Sequence, residues 1–300
     1  MQILLFGGNG QLGWELQRSL APLGKVHMLD HPQVDFMQPE SLREIVEGIR
    51  PDVIVNAAAY TAVDRAESEI EATFLINHRA VDVLAREAFK RHIPLIHYST
   101  DYVFDGKKRG AYFETDKPNP LNVYGRSKLK GEEAVSKSGC VGVILRTSWV
   151  YSLRGGGFVT KVLTWARENE MLRTPHGALR IVDDQISGPT SARMLAETTS
   201  LMLAKAGKNP YDYLAERAGL YHLAGDGVCS RYEWAEAILA FNPKKYKHKV
   251  HELIPAKSTD FLTSARRPLE TVLNCDRFEN VFGLRLPPWQ DALRMMMEED

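Results

Sequence analysis

The chain has 300 residues, with 38 Lys+Arg against 38 Asp+Glu and a formal net charge of +0 at pH 7. That balance argues against a nucleic-acid partner, which requires a basic excess or stripe. With 44% hydrophobic and 25% charged residues the chain reads as globular, and wholesale disorder is excluded. No apolar run approaches the roughly 18–20 residues that span a bilayer, so no membrane partner is expected. Residues 1–6 read as a first strand and not as a leader. Cys140, Cys229 and Cys275 are odd in number and far apart, which fits reduced thiols and a cytoplasmic protein.

In chain order, mostly apolar runs at 3–6, 26–29, 53–56, 95–98 and 141–146 predict buried parallel strands. Amphipathic stretches at 12–21, 39–49, 70–91 and 120–137 predict the helices between them. Strand–helix alternation of this kind predicts an α/β fold built on a doubly wound parallel sheet. The pattern loosens after Trp149. A loop at Gly155-Gly156-Gly157 precedes a helix near 158–168 and a polar stretch through residue 177. A further helix starts at 187–190 and runs to about 205, residues 207–210 break the chain, and 221–224 predicts another strand. The basic, Pro-interrupted segment 244–268 suits a smaller lid-like unit. The expected division is a dinucleotide-binding domain at 1–150, rejoined by a segment near 180–206, and a mainly substrate-binding domain at 151–300.

The first strand runs into Gly7-Gly8-Asn9-Gly10-Gln11-Leu12-Gly13, directly before a helix pattern. Glycines at 7, 10 and 13 permit a tight turn, close approach of backbone to a pyrophosphate, and close helix–strand packing. The helix start adds free N–H groups and a partial positive charge. Asp30 ends the second strand about 20 residues beyond Gly10, where an acid binds the adenine ribose hydroxyls. An acid here favours NAD over NADP, but His31 and Arg65 soften that preference, so NADPH and NADH both stay open. This glycine spacing resembles the short-chain dehydrogenase/reductase superfamily, in its extended form acting on nucleotide sugars. That resemblance implies a Rossmann-like fold. Asn56-Ala57-Ala58-Ala59 fits a motif of the same superfamily beside the cofactor, and Asn77 matches a position that supports its active site.

Tyr124 and Lys128 form a YxxxK pair on one face of a predicted helix. A phenol, with a pKa near ~10, exchanges protons poorly at pH 7 until a cation stabilises its anion. Ser99-Thr100 sits at the carboxyl end of the fourth strand, where ligands of open α/β sheets bind. Thr100 can orient a carbonyl while Tyr124 supplies the proton and a nicotinamide the hydride. Nucleotide-sugar dehydratases of the superfamily resemble one another in a Thr-Asp-Glu here, but this chain has Thr100-Asp101-Tyr102. The carboxylate for proton abstraction is missing, so reduction is favoured over dehydration.

Segments 56–67 (NAAAYTAVDRAE), 98–104 (YSTDYVF), 120–128 (PLNVYGRSK), 146–151 (RTSWVY) and 184–190 (DQISGPT), with Arg267-Pro268, together resemble the dTDP-4-dehydrorhamnose reductase family. The resemblance spans nearly the whole chain. It implies reduction of the 4-keto group of dTDP-4-dehydro-L-rhamnose, with Tyr124 as proton donor, Lys128 lowering its pKa and Thr100 orienting the carbonyl. It implies cofactor contacts from Gly7, Gly10, Gln11, Leu12, Gly13, Asp30, Asp35, Phe36, Ala59, Tyr60, Thr61, Tyr98, Tyr124 and Lys128. Substrate contacts would come from Thr100, Asp101, Trp149 and Arg267. Members reported to dimerise through glutamate-held metal have an acid near where Arg193 stands here, although Glu15 fits. A homodimer is therefore allowed, and no structural metal is expected. Two alternatives remain: a regulatory binding subunit like the methionine adenosyltransferase regulatory protein, and a 4-ketoreductase for another deoxysugar nucleotide.

Overall fold

The computed structural model describes residues 1–167 and 178–298. The first half builds β1 (Gln2–Phe6), α1 (Gln11–Leu20), β2 (Lys25–Leu29), α2 (Leu42–Ile49), β3 (Val53–Asn56), α3 (Val63–Ala66), α4 (Ile70–Phe74), α5 (Ala80–Lys90), β4 (Leu95–Thr100), α6 (Val123–Lys137) and β5 (Gly142–Thr147). The second half continues with β6 (Val150–Tyr151), α7 (Phe158–Arg167), β7 (Ala178–Val182), β8 (Ile186–Ser187), β9 (Thr190–Ser191), α8 (Ala192–Ala204), α9 (Pro210–Ala215) and β10 (Gly219–His222). It ends in β11 (Cys229–Ser230), α10 (Arg231–Phe241), β12 (Glu252–Ala256), α11 (Asp276–Phe282) and α12 (Trp289–Glu298).

The main sheet runs β10-β5-β4-β3-β1-β2, with every neighbouring pair parallel. Alternation along β1 sends Ile3 and Leu5 into one apolar layer, and Leu4 and Phe6 into the other. The first layer is covered by α1, α8 and α11, the second by α2 and α5. Strand order reverses between β1 and β3, so a crevice opens beyond their carboxyl ends. That crevice receives the glycine loop from β1 and residues 57–61 from β3. A separate core, with Val159, Val162, Ile181, Trp234, Trp289 and Leu293, gathers α7, α10, α12 and β7. Within it β7 pairs with β12 in parallel.

Several expected boundaries move for identifiable reasons. The single helix expected at 70–91 is interrupted by a π-turn at Leu75–Arg79, where Asn77 is fully buried. Its amide donates to Tyr60 O (3.0 Å) and Ser127 Oγ (3.0 Å), and its Oδ1 accepts from Tyr60 N (2.8 Å). Turning that amide inward widens the helix by one residue. The helix expected from 120 begins at Val123, because Asn122 Oδ1 caps Gly125 N at 2.8 Å. Segment 39–49 opens as a 3₁₀ turn at Pro39–Ser41 before α2. The strand expected at 221–224 lies at Gly219–His222. Residue 168 and the polar stretch through 177 lie outside the described residues.

Candidate active site

The carboxyl end of β1 runs straight into the glycine loop. Gly7 has φ +84°, and a Cβ there would lie 2.6 Å from Ala58 N, so the turn passes hard against the exit of β3. Gly10 stands before α1 with no side-chain cap, leaving the first N–H groups of that helix available to an anion. A Cβ at Gly13 would lie 1.9 Å from Gly7 O, with two further backbone atoms within 2.8 Å. Because the obstruction is backbone, Gly13→Ala is expected to cost about 1–3 kcal/mol of stability and to weaken dinucleotide binding. Thermal melting with a nicotinamide titration checks both.

A cavity of about 640 Å³ opens on this loop. Asn9, Gly10, Gln11 and Leu12 form one wall; Thr100, Asp101, Tyr124, Lys128 and Trp149 form the opposite one. Helix α6 carries both Tyr124 and Lys128, and its Asn122 cap sets their height above the end of β4. Asn122 Nδ2 also donates to Arg266 O at 2.8 Å, which ties that cap to the C-terminal half. Gln11 accepts from Ser152 N at 2.8 Å, so the glycine loop is tied to the chain beyond β6 as well.

The electrostatics of the cavity follow from the burial of its titratable groups. Burial pushes the Tyr124 phenol above its ordinary value, with the Thr100 hydroxyl opposing, so Tyr124 is a protonated phenol at neutral pH. Burial pushes the Lys128 ammonium down to about 8, against an upward pull from Glu132. Lys128 Nζ donates to Tyr98 O at 2.6 Å. Thr100 Oγ1 donates to Asp101 at 3.1 Å and accepts from Tyr102 N at 3.2 Å. Thr271 donates to the other Asp101 oxygen at 2.5 Å. Even so, burial raises Asp101 to about 6. The folded protein therefore holds a proton that the unfolded chain, near 3.8, releases between about pH 4 and pH 6. Stability from this group is fully present below the unfolded value and is lost as pH rises through the folded one. Asp101→Asn is expected to flatten that part of the profile, read from urea midpoints between pH 4 and pH 7.

Of the residues expected at the cofactor, Gly10, Gln11, Leu12, Ala59, Thr61, Tyr98, Tyr124 and Lys128 line the cavity. Gly7 and Gly13 lie behind its wall and shape the loop. Asp30 caps that loop, accepting from Asn9 N at 2.7 Å and His31 N at 2.8 Å. Asp35 accepts from Met37 N (2.8 Å), and Phe36 packs edge-on against Phe6 at 5.4 Å. The Tyr60 hydroxyl donates to Glu69 at 2.5 Å, away from the cavity lining. Arg267 lies in a second cavity of about 760 Å³, paired with Asp64 at 2.6 Å.

Trp149 has φ +43°, a left-handed conformation that a bulky residue holds only when its surroundings impose it. It stacks on Trp234, with ring centroids 5.5 Å apart, while the Arg231 guanidinium sits 3.6 Å from its own centroid. Arg231 lines the second cavity, so the Trp149–Arg231 stack is a wall shared by both. Arg231 was not legible in the sequence. The local signal, Ser230 and Glu233 in a capping box, marks a helix start and carries no information about a ligand. Ser99 and Thr147, at strand ends that the sequence marks, also line the first cavity, as does Arg154, which carries no sequence signal.

The family model described as RmlD substrate binding domain matches residues 1–300. The chain is 42% identical over 305 residues to a dTDP-4-dehydrorhamnose reductase of Escherichia coli (strain K12), covering 100% of this chain and 98% of that one. Among solved structures, a dTDP-4-dehydrorhamnose reductase from Clostridium acetobutylicum gives a TM-score of 0.87 at 29% identity, covering 100% of this chain and 99% of the other. One from Bacillus anthracis, in complex with NADP, gives 0.86 at 30% identity with the same coverage. No described helix is long and apolar enough to cross a membrane. The glycine loop, the parallel sheet and the full-length match agree: the chain belongs to the RmlD substrate binding domain family, the oxidoreductase family of the dTDP-4-dehydrorhamnose reductases.

Proposed function

We propose that the protein uses NADPH or NADH to reduce the 4-keto group of dTDP-4-dehydro-L-rhamnose, giving dTDP-L-rhamnose. One observation carries this reading: the glycine loop and the Thr100, Tyr124 and Lys128 side chains line the same cavity. The relatives' names supply the substrate, and the NADP complex of the Bacillus anthracis protein supports the cofactor. The loop fits a dinucleotide because its backbone is packed too closely to admit side chains and its helix start is uncapped. A reduced nicotinamide bound there supplies the hydride.

The chain's own groups do the rest. Tyr124, held as a phenol by burial, gives its proton to the alkoxide oxygen formed at C4. Lys128 stabilises the resulting phenolate and returns a proton to it. Thr100 sits beside Tyr124 and orients the carbonyl. Asp101 and Trp149 bound the sugar, and Arg231 with Arg267 face the nucleotide part from the second cavity. In this reading residues 1–150, with 180–206, bind the dinucleotide, while 151–300 mainly bind the substrate. Incubation with NADPH and dTDP-4-dehydro-L-rhamnose tests it. Sugar-dependent loss of the reduced-nicotinamide absorbance is expected, and its absence with both NADPH and NADH contradicts the proposal.

A further inference from the structure

His97 is fully buried on β4, and its two ring nitrogens face different neighbours. Nδ1 lies 3.2 Å from Asn56 Nδ2, and Nε2 lies 3.4 Å from Lys128 Nζ. The orientation of the Asn56 amide is fixed by a third group. Ala58 N–H, a backbone donor that cannot reverse its role, points at Asn56 Oδ1 at 3.1 Å. The Asn56 NH₂ must therefore be the group facing His97, and it can only donate. Nδ1 must accept. A neutral imidazole has one N–H, so that hydrogen is on Nε2. An imidazolium would set two donors against each other at Nδ1, and burial together with Lys128 holds His97 well below its ordinary range.

The ring thus aims an N–H at the Lys128 nitrogen. An ammonium has no lone pair to receive it, whereas a neutral amine does. Glycine at 131 seals the arrangement: a Cβ there would lie 2.4 Å from Asn77 O and 3.5 Å from His97 Nε2, so α6 rests directly on the ring. Other titratable groups around Lys128 do not offset the effect. Glu132 on α6 favours the ammonium, but both its oxygens are engaged, by Arg146 of β5 and Ser99 of β4. Tyr124 on α6 and Tyr98 on β4 are neutral phenols. Asp101, beyond β4, is taken by Thr100 and Thr271.

We propose that His97 is a positioning residue for Lys128: locked by Asn56 as the Nε2–H tautomer, it favours the neutral amine and so drives the Lys128 proton onto Tyr124. The proposal rests on the reductase reading for its catalytic meaning. The balance is simple. Once Tyr124 has given its proton to the substrate alkoxide, an N–H bond of the Lys128 ammonium breaks and the phenol O–H re-forms. The amine left behind accepts from His97 Nε2–H until solvent restores its proton.

Two readouts test it. In protein labelled with ¹⁵N-histidine, the His97 ring is assigned by its disappearance in His97→Gln. A bare Nδ1 and a protonated Nε2 from pH 6 to pH 9 are expected; an Nδ1–H tautomer or an imidazolium overturns the proposal whether or not the protein is a reductase. In Asn56→Asp the carboxylate accepts from Nδ1, and the proton is expected to move there; an unchanged tautomer overturns the lock. For catalysis, His97→Gln offers Lys128 an amide oxygen in place of an N–H. The high-pH limb of its kcat/KM profile is expected to rise by at least half a pH unit. A uniform loss at every pH, with the limb unmoved, means that His97 is merely structural and contradicts the coupling.

Discussion

Tyr124→Phe is expected to lower kcat by at least ~100-fold while leaving dinucleotide binding within a few-fold of the native protein. The loss corresponds to about 3 kcal/mol or more of transition-state stabilisation. The substitution removes one oxygen from a half-buried ring that packs edge-on against Tyr102 at 5.8 Å, so the apolar contacts survive. What disappears is the only proton that the phenol can give. A hydride delivered to a ketone leaves a strongly basic alkoxide, and without a positioned acid its charge is not neutralised by the protein. Steady-state rates and a fluorescence titration with NADPH separate the two effects. Retention of full turnover removes Tyr124 from the proposed mechanism.

Glu132→Ala is expected to destabilise the fold by about 3–5 kcal/mol, because it strands a buried cation. Arg146 and Glu132 are almost completely buried, joined through Nε–Oε1 at 2.9 Å and through a second bond at 2.6 Å. Ser99 donates to the same carboxylate at 2.5 Å, and the Arg146 guanidinium sits 5.0 Å from the Phe104 ring centroid. The pair links α6 to β4 and β5 immediately beneath Thr100 and Lys128. Replacing both partners, as in Glu132→Leu with Arg146→Met, is expected to recover most of the loss, since two well-packed apolar groups carry no desolvation cost. Urea unfolding of the single and double variants measures the difference. A single variant as stable as the native protein contradicts the account.

The first half of the fold was legible because buried parallel strands are apolar throughout. Residues 3–6 and 53–56 show this plainly, and glycines at 7, 10 and 13 punctuate the first crossover. The second half was not, since β6, β8, β9 and β11 are only two residues long and carry no periodicity. Helix α10 is signalled only by the capping box of Ser230 and Glu233, α12 by no cap of this kind, and β12 lies inside the basic, Pro-interrupted segment 244–268. The inward turn of Asn77, which splits 70–91, depends on Tyr60 and Ser127, partners distant in sequence. Tyr124, Lys128 and Thr100 stand out by spacing and strand position, and in the structure all three line one cavity. Asp30, Asp35, Phe36 and Tyr60 cap turns or pack outside the cavity lining in the structure, contacts that sequence position alone does not show. The His97 tautomer depends on Asn56 of β3, the Ala58 N–H in the loop after it and Lys128 of α6, and no local pattern encodes it.

The charge balance of the whole chain also takes on a local meaning. In the proposed reaction two polyanionic ligands would be accommodated with no net positive charge, through backbone N–H groups at α1 and through Arg231 and Arg267 in the second cavity.

In the proposed reaction hydride reaches C4 of the sugar within the cavity shared by the glycine loop and Tyr124. Turnover of dTDP-4-dehydro-L-rhamnose with NADPH deuterated at its transferable position tests it most directly, with the product read by NMR. The expected product is dTDP-L-rhamnose carrying one deuterium at C4. Deuterium elsewhere on the ring, a product with the opposite configuration at C4, or no deuterated sugar contradicts it.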